Sequence, residues 1–242
     1  MLRHRGILTR SAITFATIAA VTLAVLMAGA ADGYTTHAAD RPGLVALTFD
    51  DGLNGATTDE IARVLEEHGA HGTFFVVGQT LEPQADLARS LVGRGHLLAN
   101  HSFTHRRASP TDLSYDEASR AQVAFEQTIG RCPRFFRPPW GVQTPFVNAA
   151  VRRSGMRTVM WDVEEADWYA SDPARLAERV LADVRPGSII LLHDGKDGAP
   201  GADRSVQLAA LPIILQGLQE RGLLGVTLDT LLGTSGYLKR CR

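Results

Sequence analysis

The sequence predicts an α/β fold built on a parallel sheet. From residue 44 onward, short apolar runs of strand length alternate with amphipathic segments of helix length, the pattern of βαβ units. The runs at 44–49 (LVALTF) and 188–192 (SIILL) are apolar in the manner of buried strands. Asp50, His101, Arg137, Asp162 and His193 each stand at or just after the C-terminal end of such a run. Barrels of βα units build their active sites at that end. Open doubly wound sheets follow a similar rule, so the alternation alone leaves both architectures standing.

Each element has its own signal. Thr57-x-x-Glu60 has the form of a capping box ahead of Ile61, Val64 and Leu65 on one helical face, and Gly69 is suited to end that helix. Residues 73–77 read as a strand, 83–93 as a helix and 96–99 as a short strand. Ser114-x-x-Glu117 is a second box of the same form, followed at helical spacing by Ala118, Ala121, Phe125 and Ile129, with Gly130 as terminator. Residues 157–161 read as a strand. Asp172-Pro173 places a cap and a first-turn proline at a helix start. Residues 206–221 are apolar on nearly all sides and predict a buried helix with Pro212 as a kink or second start, and 224–228 closes the series.

The 242 residues are 45% hydrophobic and 21% charged, with a formal net charge of −1, an ordinary single-domain balance without the basic surplus of a nucleic-acid binder. Residues 1–30 differ from the rest. Arg3, Arg5 and Arg10 precede an uncharged stretch at 11–28, and Ala28-Gly29-Ala30 supplies small residues at a cleavage position, the order of a secretory signal peptide. An uncleaved anchor is the alternative, since roughly 18 apolar residues just span a bilayer. Either way the body is expected outside the cytoplasm, secreted or held at the cell surface. Residues 31–41 read as a short flexible linker and 42–242 as one folded domain. Two cysteines, Cys132 and Cys241, in an exported chain point to one disulfide, with two free thiols as the other reading.

Five separated motifs carry chemistry. Thr48-Phe49-Asp50-Asp51-Gly52 ends a strand with two carboxylates and a glycine that permits a sharp turn. His101-Ser102-Phe103-Thr104-His105 sets two imidazoles four apart, which one helical turn would bring to the same side. With Asp51 they make a His-His-carboxylate set that holds a divalent metal and leaves positions open for water and substrate. Arg137-Pro138-Pro139-Trp140-Gly141 is a stiff loop. Trp161 to Trp168 is acidic and aromatic, and Leu191-Leu192-His193 ends a buried strand with a histidine at its mouth.

In order and spacing these motifs resemble the polysaccharide deacetylase family, the NodB-homology or family 4 carbohydrate esterases, over about residues 42–232. The resemblance implies a distorted (β/α) barrel, usually counted with seven strands, with its active site at the C-terminal ends of the strands. It implies a metal-dependent hydrolase that removes N-acetyl groups from chitin, chitooligosaccharide or peptidoglycan and releases acetate. By that resemblance Asp50 is the general base and Asp51, His101 and His105 are the metal ligands. Arg137 holds the base, Trp140 offers its backbone N–H to the oxyanion, and Asp167 orients His193, the general acid. Pro138, Trp168 and Leu191 line the substrate pocket. Glu164 and Glu165 stand where an aspartate and a small hydroxyl residue are expected. Zinc is the default metal, with cobalt or nickel also compatible, and a monomer acting on polysaccharide without a stable membrane span is expected. An acetylxylan esterase using the same site is the nearest rival. A non-haem iron oxygenase shares the ligand set, but the chain lacks the His-x-Asp/Glu pair such enzymes use. A disabled sugar-binding module is the non-enzymatic alternative.

Overall fold

The computed structural model describes residues 33–107 and 111–241; the proposed signal peptide lies outside them. The first half of the chain alternates strand and helix: β1 (Leu44–Asp50), α1 (Ala56–Glu67), β2 (Thr73–Val76), α2 (Ala85–Gly93), β3 (Leu97–Asn100) and α3 (Glu117–Ile129). Short strands β4 (Cys132–Pro133) and β5 (Phe135–Phe136), α4 (Pro145–Arg153), β6 (Arg157–Thr158) and β7 (Val163–Glu164) follow. The chain continues with α5 (Pro173–Asp183), β8 (Ile189–His193), α6 (Ser205–Glu220), β9 (Leu224–Val226), α7 (Leu228–Leu232) and β10 (Tyr237–Leu238). Seven strands form one curled parallel sheet in the order β6-β5-β3-β2-β1-β8-β7, and β9 pairs with the start of β1. The distorted seven-stranded barrel is therefore the fold.

Period-two alternation sorts the strand residues into two layers. Val45, Leu47, Phe49, Phe74, Val76, Leu98, Ile190 and Leu192 point outward into one large core with the helices. Ala46, Phe75, Ala99, Phe135 and Ile189 point inward and fill the barrel together with Leu228 and Leu231 of α7. A third cluster packs α3 and α4 over Phe136. The inward row of β1 ends at Asp50, that of β8 at His193, and the register sets these two side by side.

Several expectations are corrected. The expected linker 31–41 is, in its described part from residue 33, paired to the sheet. Thr35 bridges Val159, His37 bridges Ser188, and the Ala38 N–H donates to Gly187 O at 2.9 Å, so this segment spans the seam between the β6 and β8 sides of the sheet. Neither capping box forms. The first helix starts at Ala56 after Gly55, and Glu117 turns its carboxylate to another loop. Asp162 lies at the opposite end of the barrel from the site: it accepts the Ile189 N–H at the beginning of β8 and pairs with His37. Residues 157–161 contribute only a two-residue strand. Helix α6 runs through Pro212 and buries one face, leaving Ile213 exposed. The unforeseen helix α4 has a conventional start, with Thr144 accepting the Val147 N–H and Pro145 in its first turn. Asp172 caps α5 as expected, accepting from Ala174 N–H and Arg175 N–H.

Cys132 and Cys241 form a disulfide, and β10 pairs antiparallel with β4 beside it. The bond closes a loop with a sequence separation of 109, for which chain entropy gives an upper value near ~4.7 kcal/mol. Replacing both cysteines by serine is expected to lower the melting temperature by roughly 5–15 °C. Calorimetry of the oxidised protein against the double variant checks this; equal melting temperatures would show that the strand pairing alone secures the tail.

Candidate active site

Arg137 emerges one residue past β5, level with the end of β3, because Asn100 pairs with Phe136. Its guanidinium is completely buried. Nη1 donates to Asp50 Oδ1 at 2.7 Å and Thr48 Oγ1 at 2.9 Å, Nη2 to Met160 O at 3.0 Å and Nε to Val159 O at 3.2 Å. The ring of Phe75 lies 4.0 Å from its central carbon, and Trp161 covers it from farther away. Asp50 supplies the counter-charge that such burial requires. One carboxylate oxygen is thereby fixed, and the side chain lines the cavity above it.

Asp51, the next residue, has φ +76 and turns to a different task. Its Oδ1 lies 3.0 Å from His105 Nε2 and 3.4 Å from His101 Nε2, and the two nitrogens are 3.2 Å apart. Tetrahedral coordination with bonds near 2.0–2.1 Å needs donor separations of roughly 3.3 Å, so this buried triangle fits a zinc-sized divalent ion. Burial opposes charge on Asp51, but its hydrogen bonds to His101 and His105 hold the carboxyl well below the usual range. His101 Nδ1 lies 2.8 Å from Arg137 O, which assigns its proton there and leaves Nε2 free for the ion.

The two histidines are not joined by a helical turn, as their spacing suggested. They sit on a loop with left-handed backbone at Ser102 and His105. Asn100 Oδ1 accepts the Ser102 N–H, Ser102 Oγ accepts the His105 N–H, and Glu117 accepts from Phe103 N–H, Thr104 N–H and the Thr104 hydroxyl. Glu117 thus organises this loop from the buried start of α3.

Across the cavity, His193 Nδ1 is 2.7 Å from Asp167 Oδ1, and Asp167 Oδ2 accepts the His193 backbone N–H. Gln207 of α6 secures the Asp167 carbonyl at 2.7 Å. Burial works against the imidazolium, yet Asp167, with help from the charges of Asp50 and Asp51, raises the His193 pKa to about 9. Trp168 stands edge-on to His193, Trp140 to His105, and Leu191 lines with them a cavity of about 560 Å³. Trp140 has φ +54; the backbone bonds of its turn are donated by Gly141 and Val142, not by its own N–H.

Ten of the eleven residues given site roles from the sequence therefore meet here, if Arg137 and Asp167, which stand behind the cavity wall, are counted. Pro138 is the exception: it is buried, does not line the cavity, and serves to set the chain path into Pro139 and Trp140. Sequence reasoning missed Thr48, Asn100, Glu117 and Gln207, whose types carry no signal of a supporting role. It also missed Asp194, whose burial, aided by the charges of Asp51 and Asp50, pushes its carboxyl up to about 7 despite the hydrogen bond from Thr58.

An open three-ligand site at the strand ends of a βα barrel, flanked by a carboxylate and an acidic histidine, defines a metal-assisted hydrolase. The profile of the polysaccharide deacetylase family matches residues 37–159. A chitooligosaccharide deacetylase of Bradyrhizobium sp. (strain ANU 289) is 38% identical over 190 residues, covering 74% of this chain and 85% of that protein. A peptidoglycan-N-acetylglucosamine deacetylase of Bacillus cereus is 31% identical over 208 residues, covering 83% and 93%. Among solved structures, a family 4 carbohydrate esterase from Streptomyces lividans in complex with acetate has a TM-score of 0.68 at 32% identity, covering 76% of this chain and 92% of that one. A peptidoglycan N-acetylglucosamine deacetylase in complex with a naphthalenyl N-oxidanyl-benzamide has a TM-score of 0.77 at 27% identity, covering 84% and 94%. The chain belongs to the polysaccharide deacetylase family.

Gly52 shows how tightly the turn behind the site is packed. A Cβ there would stand 2.0 Å from Asp194 Oδ2, so the residue is glycine for lack of space. Gly52→Ala must displace Asp194 or the Asp50–Asp51 turn and is expected to cost about 1–3 kcal/mol. Urea denaturation measures the loss; an unchanged midpoint would mean that the turn has slack.

Proposed function

We propose that this chain is a metal-dependent N-deacetylase acting outside the cytoplasm on N-acetylglucosamine-containing polysaccharide: chitin, chitooligosaccharide or peptidoglycan. The observation that carries the reading is the pairing of Asp50 with Arg137 on one side of the Asp51–His101–His105 triangle and of His193 with Asp167 on the other. This division supplies a base and an acid at the same pH. The chitooligosaccharide and peptidoglycan deacetylases among the relatives support the substrate class. Among the described residues no helix is long and apolar enough to cross a membrane. The signal-like residues 1–30 support export.

Asp51, His101 and His105 would hold the metal, with zinc the first choice for two imidazoles and a carboxylate. Bound there, a divalent ion lowers the pKa of water and polarises a carbonyl. The chain's own groups do the rest. Trp168 and Leu191 enclose the acetyl group. Asp50, one oxygen held by Arg137, accepts the proton of the attacking water. The Trp140 N–H faces the developing oxyanion, a contribution of ~3 kcal/mol for one such donor. His193, its Nδ1 proton held by Asp167, gives the Nε2 proton to the departing nitrogen as the C–N bond breaks. The products are acetate and a free amine on the sugar.

Acetate release from chitooligosaccharide, peptidoglycan and acetylated xylan, each with and without added zinc, tests this. Zinc-dependent release from the first two supports it. Release from xylan alone would make the chain an O-acetyl esterase. His193→Ala should lower kcat on the amide by roughly 10²–10⁴-fold, and less on an activated acetyl ester whose leaving group needs no proton. Asp50→Asn should depress both alike. Because the acid must be protonated, activity falls as pH rises through the His193 pKa, at about 9 or lower with a cation nearby. The same proton stabilises the fold: its contribution is complete below the unfolded value near 6.5 and is lost as pH rises toward about 9. Equal losses for amide and ester in His193→Ala would remove the residue from the acid role.

A further inference from the structure

His105 has a second ring nitrogen with no assigned purpose. Its side chain is 3% exposed, and Nε2 faces Asp51 and His101. Nδ1 is buried and makes no aligned hydrogen bond, yet Asp197 Oδ1 stands 2.8 Å from it. Asp197 belongs to the loop 195–203 after β8, a Gly-rich stretch that none of the five motifs covers. Its backbone is left-handed, with φ +51, a conformation that aspartate tolerates better than most residues.

The loop is bound to the site along its length. Asp194 N–H and Gly195 N–H both donate to Asp50 O, and Gly198 N–H donates to Asp51 O at 3.1 Å. A Cβ at Gly195 would lie 2.2 Å from Asp51 O, so the two backbones are in direct contact. Arg204 clamps Gly195 O through Nε and Nη2, and Asn54 ties Asp194 O and Ala202 O. The Asp197 carboxylate is therefore presented by an anchored backbone. Its side chain is 53% exposed and faces the buried His105.

A histidine that coordinates through Nε2 carries its proton on Nδ1, and an acceptor at that proton fixes the tautomer, orients the ring and makes the ligand more basic. For His101 the acceptor is Arg137 O. We infer that Asp197 does this for His105: it is a positioning residue for the metal ligand and makes metal retention depend on the loop 195–203. The inference rests on the metal reading of the Asp51–His101–His105 triangle.

Zinc dissociation constants, obtained by competition with a chromogenic chelator, test it in the unsubstituted chain and in Asp197→Ala, Asp197→Asn and Asp203→Ala. Asp203 shares the loop but bonds the Ser205 N–H and serves as the control. Asp197→Ala is expected to weaken zinc about 10–100-fold and Asp197→Asn by less, while the melting temperature of the metal-free proteins stays unchanged and Asp203→Ala binds as the unsubstituted chain does. Equal affinity in all four proteins would overturn the inference while leaving the metal site standing. Losses matched by Asp203→Ala, or by falls in metal-free melting temperature, would assign the effect to loop structure and overturn it too. Failure of the unsubstituted chain to bind zinc would overturn the metal assignment and this inference with it.

Discussion

The arginine inside the barrel is the constraint around which the site is arranged. A guanidinium in a low-dielectric interior is tolerable only if its charge is balanced and its N–H groups are satisfied. Arg137 meets both conditions through Asp50, Thr48 and two carbonyls of the 159–160 segment, with Phe75 and Trp161 against its faces. Four parts of the chain distant in sequence are thereby held in one register. The same residue's carbonyl takes the Nδ1 proton of His101. A single buried side chain and its backbone thus connect the base, a metal ligand and the far wall of the barrel.

Around that centre, function is carried by irregular backbone. Asp51, Ser102, His105, Trp140, Ala166 and Asp197 all have positive φ without being glycine, and all lie within or beside the site. Each such conformation costs about 1–3 kcal/mol and persists only where its surroundings over-determine it. Here the surroundings are specific: Asn100, Ser102 and Glu117 secure the histidine loop, Gln207 secures Asp167, and Asn54 and Arg204 secure the loop that carries Asp197. The barrel supplies rigid strand ends, and a polar scaffold aims the loops.

The longer strands and most helices were legible because period-two and helical patterns are local, whereas the two-residue strands β4, β5, β7 and β10 are too short to carry a period. The chemical residues were legible because five separated motifs stand in the order and spacing of the polysaccharide deacetylase family; taken singly, a strand-end carboxylate or imidazole has ordinary structural uses, as Asp162 shows. The supporting groups were not. Glu117 looks like a helix cap in sequence and is instead a loop anchor, a choice made by partners at 103 and 104. Asp162 looks like a strand-end site residue and binds at the other end of the barrel. The seam segment around His37 reads as a linker because its pairing partners lie more than a hundred residues away. The 101–105 spacing invited a helix, and only the backbone at Ser102 and His105 shows how a loop achieves the same convergence.

The dependence of the site on its buried ion pair is tested most directly by a double-mutant cycle on Arg137 and Asp50, read for both stability and amide turnover. Arg137→Met leaves a carboxylate uncompensated, and Asp50→Asn leaves a guanidinium so; each is expected to cost about 3–5 kcal/mol. The double variant removes both charges and should cost clearly less than the sum, while amide turnover stays lost because the base is gone. Additive stability losses, or amide turnover that returns with stability in the double variant, would contradict the account.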